Sequence, residues 1–538
     1  MRKMAVLFLL SSLQVFSQAT QDWALRYNGS GNNTDIPNAM VVDGAGNVYV
    51  TGHSIQTGTS YDYVTIKYNS SGAWQWGKSH NGTGNAEDWA RAIAVDGAGN
   101  VYVTGGSGGS GTFNDYFTIK YNNDGEWQWG QVYNGPGNGD DEATSIAVDG
   151  SGNVYVTGQS MGDGTLYDYA TVKYDSNGTE QWVQRYHGTG DGRDMARAIA
   201  VDGSGNVIVT GQSTGSGTGL DWVTIKYSTS GIWLWGQEYN GSGNSDDDAL
   251  AIAVDGSGNV YVTGDSWESS GAGSDYATIK YNSVGEGQWL QTYNGPPGTG
   301  LDYAFAIALD DSANVYVTGN SSGSGTGRDY ATIKYNTSGF EKWVARYNGP
   351  ANTFDYAYAI AVDNSGNSYV TGRSSGGVTG SDYATLRYSP SGVQQWVERY
   401  TANEYDWASS IALDNSGNVY VTGRSSGTGT SEDYATIKYS QQFITPSAAP
   451  FVIHPESFSC LIASGSQGVS KSLRYTLPQG SLVKIRMFNS QGRLLKILKD
   501  SFSAPGTYSI SADFDARGLY FLEFKAGTLS RHFKITGL

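Results

Sequence analysis

Carboxylates in register are the most concentrated chemistry in this chain. One Asp recurs at Asp35, Asp88, Asp141, Asp194, Asp247, Asp302, Asp355 and Asp406, and a second at Asp62, Asp115, Asp168, Asp221, Asp275, Asp329, Asp382 and Asp433. If both fall in loops on one rim of a closed array, as many as sixteen carboxylates gather there. Hard oxygen ligands in that number suit a divalent cation, and Ca²⁺ is the natural match. The competing reading is structural: an Asp side chain accepts backbone N–H groups and pins its own loop. Recurrence in every copy favours the structural role, because a ligand site normally breaks symmetry. No copy has the ligand spacing of an EF-hand loop. The expectation is rim carboxylates that build loops, no required cofactor, and Ca²⁺ as the ion to test.

Other reactive groups are sparse or repetitive. A cation recurs at Lys67, Lys120, Lys173, Lys226, Lys280, Lys334, Arg387 and Lys438. Set between apolar neighbours, each needs a partner, and the Asp that ends the first strand of the same repeat is the expected one. The five histidines, His53, His80, His187, His454 and His532, form no repeated constellation. No nucleophile elbow, phosphate loop or dinucleotide fingerprint has a helix behind it. Paired Asp residues are too common to locate a glycosidase pair. Most of the 15 Trp and 38 Tyr recur in register and read as packing. Trp89, Trp222, Trp267 and Trp407 depart from the repeat near the expected rim loops. They are the candidate rings for a sugar, against a bland alternative of loop-anchoring hydrophobes.

The elements that hold these residues follow from the period. The motif AIAVDGSGNVYVTG, then DYATIKY, then a Trp-rich segment ending in YNG, occurs eight times. Its first-strand Asp stands at positions 43, 96, 149, 202, 255, 310, 363 and 414, spaced by 51 to 55 residues. That period fits a four-stranded propeller blade. In the second copy the strands read Ala90 to Asp96, Asn100 to Thr104, Tyr116 to Tyr121 and Trp127 to Tyr133, with Gly-rich hairpin turns between them. Ala90, Ala92 and Ala94 alternate with Arg91, Ile93 and Val95, so both faces of the first strand are expected to be covered. A Trp-type strand, Trp23 to Tyr27, precedes the first Ala-type strand, and none follows Asp433 to Tyr439. A ring in which the N-terminal strand completes the last blade uses every copy and leaves no open edge. The expected fold is all-β: an eight-bladed propeller of 32 strands, with an open solenoid as the alternative.

Domain bounds are read from composition. Residues 1–19 read as a secretory signal: Arg2 and Lys3, an apolar run from Met4 to Leu13, then small residues for cleavage after Ser17 or Ala19. The run is too short to span a bilayer, and no transmembrane segment is expected. The propeller occupies 20–442, a Pro-containing linker 443–464, and a small Ig-like β-sandwich 465–538. Cys460 is the single cysteine, so neither an internal disulfide nor a Cys-based metal site exists. The net charge of −17 is unevenly spread: the repeat array carries 20 basic and 45 acidic residues, the tail from 443 eleven and five. Such an acidic body disfavours nucleic acid and anionic membrane as partners.

Two resemblances extend this reading. The repeats over residues 23–439 resemble the bacterial β-propeller repeat proteins with SBBP-type repeats, whose units read roughly DxAxxIAVDxxGNVYVTGxSxSxDFxTxKY. That likeness implies a secreted or surface bacterial protein. The tail resembles the type A sorting domain of the type IX secretion system. The matching residues are Leu473 to Pro478, Val483 to Arg493, Gly518 to Phe524 and Phe533 to Ile535, with His454-Pro455 in place of the usual Asn-Pro opening. It implies that residues 465–538 engage secretion machinery and place the chain outside a Gram-negative bacterium or on its outer surface. The functional expectation is a non-enzymatic scaffold binding a glycan or a surface protein through propeller rim loops. The alternative is a propeller hydrolase or lyase of polysaccharide, which a deep groove with polar residues absent from other blades would favour.

Overall fold

A computed structural model describes residues 16–109, 113–268, 273–296, 298–377, 380–444, 460–464, 470–477, 481–489, 494–503, 506–513, 519–526 and 529–536. The basic and apolar parts of the expected signal, and residues 445–459 of the expected linker, lie outside the described residues. The chain divides into two compact units, Met1–Thr445 and Pro446–Leu538.

The first unit is an eight-bladed β-propeller of eight four-stranded antiparallel sheets. Seven blades use consecutive strands. Blade 2 is typical, with Asp88–Val95, Val101–Gly108, Asn114–Tyr121 and Trp127–Tyr133 in that order. Blade 8 takes Asp406–Leu413, Val419–Ser426 and Glu432–Ile444 from the end of the array and Phe16–Tyr27 from its start. The borrowed strand is a register-true copy of the others. Arg26 lies opposite Ala435 as Arg185 lies opposite Ala170 in blade 3. Each guanidinium stands 2.8 Å from the Asp that opens its third strand, Asp433 or Asp168. Closure thus reuses the contacts of an ordinary blade and pairs the otherwise bare edge of Glu432–Ile444. The closing strand begins at Phe16, so its first four pairs fall within the expected signal and those from Thr20 onward do not.

Adjacent blades share cores. Tyr102 and Trp129 of blade 2 pack on Ala143, Ile146, Val154, Val156, Ala170 and Val172 of blade 3. Each buried branched side chain there contributes about 1.5–3 kcal/mol. The Tyr opening the DYATIKY segment ties the seam: Tyr116 Oη donates to Ala170 O at 3.2 Å, and Tyr276 Oη to Ala331 O at 3.2 Å.

The first strand departs from simple alternation. In every blade a β-bulge interrupts it, in blade 2 between Ala90 and Ala92. The extra residue is Asn38, Arg91, Thr144, Arg197, Leu250, Phe305, Tyr358 or Ser409. The kink drives the first strand's carbonyl against the Gly of VTG. A Cβ on Gly264 would lie 1.9 Å from Asp248 O, and one on Gly105 1.9 Å from Trp89 O. That glycine is therefore required by close backbone approach.

The second unit holds two antiparallel sheets, as expected of a small β-sandwich. One joins Cys460–Ser464, Ser470–Leu477 and Gly506–Asp513. The other joins Leu494–Ser503, Ser481–Asn489, Leu519–Ala526 and Leu529–Thr536. Val483, Ile485 and Met487 alternate inward with Leu522 and Phe524. The strand Cys460–Ser464 lies inside the segment read from composition as linker.

Candidate functional site

The two Asp rings occupy one rim and are absorbed by its loops. Each Asp of the first ring accepts a backbone N–H from the loop before it: Gly29, Gly82, Gly135, Gly188, Gly241, Gly295, Gly349 or Ala402, at 2.7–2.9 Å. All eight are buried. In the second ring, Asp168, Asp329, Asp382 and Asp433 are clamped by Arg185, Arg346, Arg399 and Arg26. Blades 1, 2, 4 and 5 place Ser79, Val132, Glu238 and Thr292 where the Arg would stand. The consequence shows at Asp275: burial, with the charges of Asp302 and Glu268 beside it, pushes its carboxyl up to about 7.

The lysine ring has a different partner from the expected one. Lys67, Lys120 and Lys438 donate to the turn carbonyls of Asn123, Ser176 and Ser70 in the following blade, each ammonium also facing a Tyr ring. Lys226 and Lys334 do the same and add ion pairs to Asp202 and Asp310. In the other copies the strand-ending Asp is saturated by its own turn. Asp149 accepts from Ser151 N, Asn153 N, Asn153 Nδ2 and Tyr155 Oη at 2.7–3.0 Å. These hydrogen bonds hold the Asp149 carboxyl below the usual range against the opposing effect of burial, and Asp43, Asp96 and Asp255 behave alike.

The four candidate tryptophans separate. Trp222 is 1% exposed and leaves no face for a ligand. It stands in the Tyr column of the third strand and also bonds across the seam, Nε1 donating to Asp265 O on the second strand of blade 5 at 3.1 Å. Trp267 is 37% exposed at the end of the second strand of blade 5. Trp89 and Trp407 are half-buried and directly follow the first-ring Asp, Trp89 beneath Arg91 at 5.4 Å.

That last position is where the repeats disagree most. Around the ring it reads Ile36, Trp89, Glu142, Met195, Asp248, Tyr303, Tyr356 and Trp407. Its cross-strand partners are His53, Gly106, Gln159, Gln212, Asp265, Asn320, Arg373 and Arg424. The first member of each pair and the bulge residues lie on the innermost strand, and the partner lies on the second. The bulge residues bridge blades. Asn38 Nδ2 donates to Ala90 O at 2.6 Å, Thr144 Oγ1 to Ala196 O at 2.8 Å, and Ser409 Oγ to Pro37 O at 3.1 Å. Arg91 pairs with Glu142 at 2.6 Å and Arg197 with Asp248 at 3.2 Å.

Over blades 6 to 8 these positions build a ladder of alternating rings and guanidiniums. Arg328 lies 5.2 Å from the Tyr303 ring and 5.9 Å from Tyr356. Arg373 lies 4.1 Å from Tyr356 and 4.2 Å from Trp407, and Arg424 closes the stack 3.6 Å from Trp407. Arg424 pairs with Glu432 at 3.2 Å. Among the described residues, Arg328 and Arg373 meet no carboxylate, in a propeller otherwise dominated by acids.

Beside the ladder is a cavity of about 560 Å³ whose lining includes Tyr303, Phe305, Tyr356, Tyr358, Trp267 and Arg328. Its polar lining includes Asp248, Asp265, Gln212 and Asn320. Asp248 and Asp265 are cross-strand partners found in no other blade. Burial, reinforced by the charges of Asp248 and Asp247, pushes Asp265 up to about 7. Asn320 is fully buried, and neither its amide N nor its O has a hydrogen-bond partner among the described residues. An unmet donor and acceptor in one buried amide cost free energy until something polar meets them.

Six segments of the chain match the family described as Beta-propeller repeat: residues 22–57, 82–111, 128–164, 234–271, 342–377 and 395–429. The array over residues 22–429 is a β-propeller domain of this repeat type. No curated protein sequence matches the chain. Among solved structures, a protein of unknown function from Bacteroides caccae is similar at 15% identity, with 56% of this chain and 93% of that chain covered and a TM-score of 0.32. A eukaryotic initiation factor is similar at 9% identity, covering 73% and 98%, TM-score 0.36. The acylaminoacyl peptidase of Pyrococcus horikoshii is similar at 7%, covering 72% and 58%, TM-score 0.38. These likenesses are too distant to carry any reading of function. Among the described residues no helix is long and apolar enough to cross a membrane.

Proposed function

We propose that this protein is a secreted or surface-held binding protein whose ligand is an acidic glycan, gripped by side chains of blades 5 to 8. The observation that carries this reading is the ladder Tyr303, Arg328, Tyr356, Arg373, Trp407 and Arg424. Aromatic faces accept the apolar face of a sugar ring. A guanidinium recognises a carboxylate or sulfate with paired donors. Two such guanidiniums with no carboxylate partner among the described residues favour an anionic sugar over a neutral one. Export is supported by the composition of residues 1–19 and by the resemblance of residues 465–538 to a sorting domain.

The test is a glycan array probed with the full chain, comparing uronate-containing and sulfated oligosaccharides with neutral ones. Selective retention of acidic glycans supports the reading, and retention of neutral glycans alone contradicts it. A second reading, hydrolase or lyase, is favoured by one observation: the unique Asp248–Asp265 pair, with Asp265 poised to hold a proton near neutral pH. Release of reducing ends or unsaturated sugars from a bound polysaccharide, abolished in Asp265→Asn, would establish it.

A further inference from the structure

We propose that Asp168, His187 and Asp194 form a binding site for a divalent transition ion of the Zn²⁺ class at the seam between blades 3 and 4. Asp168 lies in the third strand of blade 3, Tyr167–Tyr174. His187 follows the fourth, Glu180–Tyr186, and Asp194 opens blade 4. The imidazole Nδ1 stands 3.3 Å from Asp168 Oδ1 and 3.4 Å from Asp194 Oδ2. One ligand atom from each of the three falls within 4.8 Å of the others. Ligand atoms held at 2.0–2.1 Å around a tetrahedral ion are separated by about 3.4 Å. The donor set, one imidazole nitrogen and two carboxylate oxygens, suits Zn²⁺ better than the all-oxygen preference of Ca²⁺.

The surrounding bonds orient these ligands without consuming them. Asp194 Oδ1 accepts from Ser213 Oγ at 2.5 Å and Thr214 N at 3.1 Å, and its Oδ2 accepts Gly188 N at 2.8 Å. Asp168 Oδ2 is taken by Arg185 at 2.8 Å and Thr165 Oγ1 at 3.2 Å. Asp168 Oδ1, on a side chain 8% exposed, has no hydrogen-bond partner and faces the imidazole. The corresponding oxygens of Asp62, Asp221, Asp275, Asp329 and Asp433 are likewise without a hydrogen bond. Only in blade 3 does an imidazole nitrogen stand over one. His187 is itself the departure. Six other copies carry Asn there, and five of them, Asn28 after blade 8, Asn81 after blade 1, Asn134 after blade 2, Asn240 after blade 4 and Asn348 after blade 6, donate to the Asn four residues on and pin the loop. His187 turns to the carboxylates instead, with its side chain 38% exposed and open to an entering ion. Arg185 neutralises one carboxylate, so moderate affinity is expected.

The experiment is a titration of the chelator-stripped full chain with Co²⁺, read by its visible absorption and competed with Zn²⁺. The expected result is saturable absorption at one equivalent, displaced by Zn²⁺ and weakened at least ~10-fold in His187→Asn. That variant restores the residue used by the other blades, and its metal-free melting temperature should match the parent's. Absence of binding to the parent would overturn the proposal. So would equal binding to both proteins, which would place the ion at another histidine.

Discussion

Ala313 carries a φ of 55° at the turn position where the other seven copies place Gly46, Gly99, Gly152, Gly205, Gly258, Gly366 and Gly417, all with positive φ. An L-residue pays roughly 1–2 kcal/mol to sit there. Ala313→Gly is therefore expected to stabilise the chain by about 1 kcal/mol, measured by urea unfolding. At Asp275 the missing clamp can be supplied: Thr292 occupies the register position of Arg185 and Arg346. Thr292→Arg should raise the melting temperature at pH 8 and change it little at pH 5, where Asp275 is already protonated. Equal gains at both pH values would show that the carboxylate charge is not the cause. Single residues were the scale least legible in the sequence. Trp222 looked like a break in pattern because its column is Tyr elsewhere, yet it keeps the column's core role. The arginine ladder was missed because Arg328, Arg373 and Arg424 come from two kinds of strand and meet only through register. The signal was available in the column after the first-ring Asp, whose eight entries differ in charge, size and shape.

The closing strand is the element on which the ring depends. Truncation through Tyr27 removes Trp23, Leu25 and Tyr27 from their packing on blades 8 and 1, and with them the Arg26–Asp433 pair. The expected outcome is a marked fall in melting temperature or aggregation through the exposed edge of Glu432–Ile444. Truncation after Ala19 should be mild, because the pairs from Thr20 to Tyr27 remain. Light scattering and thermal melts distinguish the two. This element was legible from counting: eight of every strand class with one outer strand displaced to the N-terminus leaves only one closed solution. The bulge in each first strand was not read, although an invariant Gly inside the VTG strand is its usual mark. Alternation alone suggested a regular strand, and the bulge that sets Arg91, Arg197 and Tyr358 out of register stayed hidden.

For the whole molecule, two opposed sets of carboxylates fix the pH of greatest stability. Asp35 is pushed up to about 6, and Asp265 and Asp275 to about 7, by burial first. Their contribution is complete below the ordinary carboxylate range near 4 and is lost as pH rises through 6 to 7. Asp43, Asp96, Asp149, Asp202, Asp255 and Asp310 are held low by turn hydrogen bonds, aided at Asp202 by Lys226. Their contribution is present above the ordinary range and is lost as pH falls below it. Maximal stability is expected at about pH 4 to 5, and a melting temperature that climbs steadily to pH 8 would contradict this balance. The eightfold order explains most recurring residues as architecture, and the proposed binding function rests on the asymmetric ladder of blades 6 to 8. Calorimetric titration of an oligouronate into the full chain, beside Tyr356→Ala and the double variant Arg328→Gln/Arg373→Gln, tests that most directly. Saturable binding that weakens with salt and drops at least ~10-fold in both variants, with melting temperatures unchanged, is the expected result. Binding of equal strength to all three proteins would contradict it.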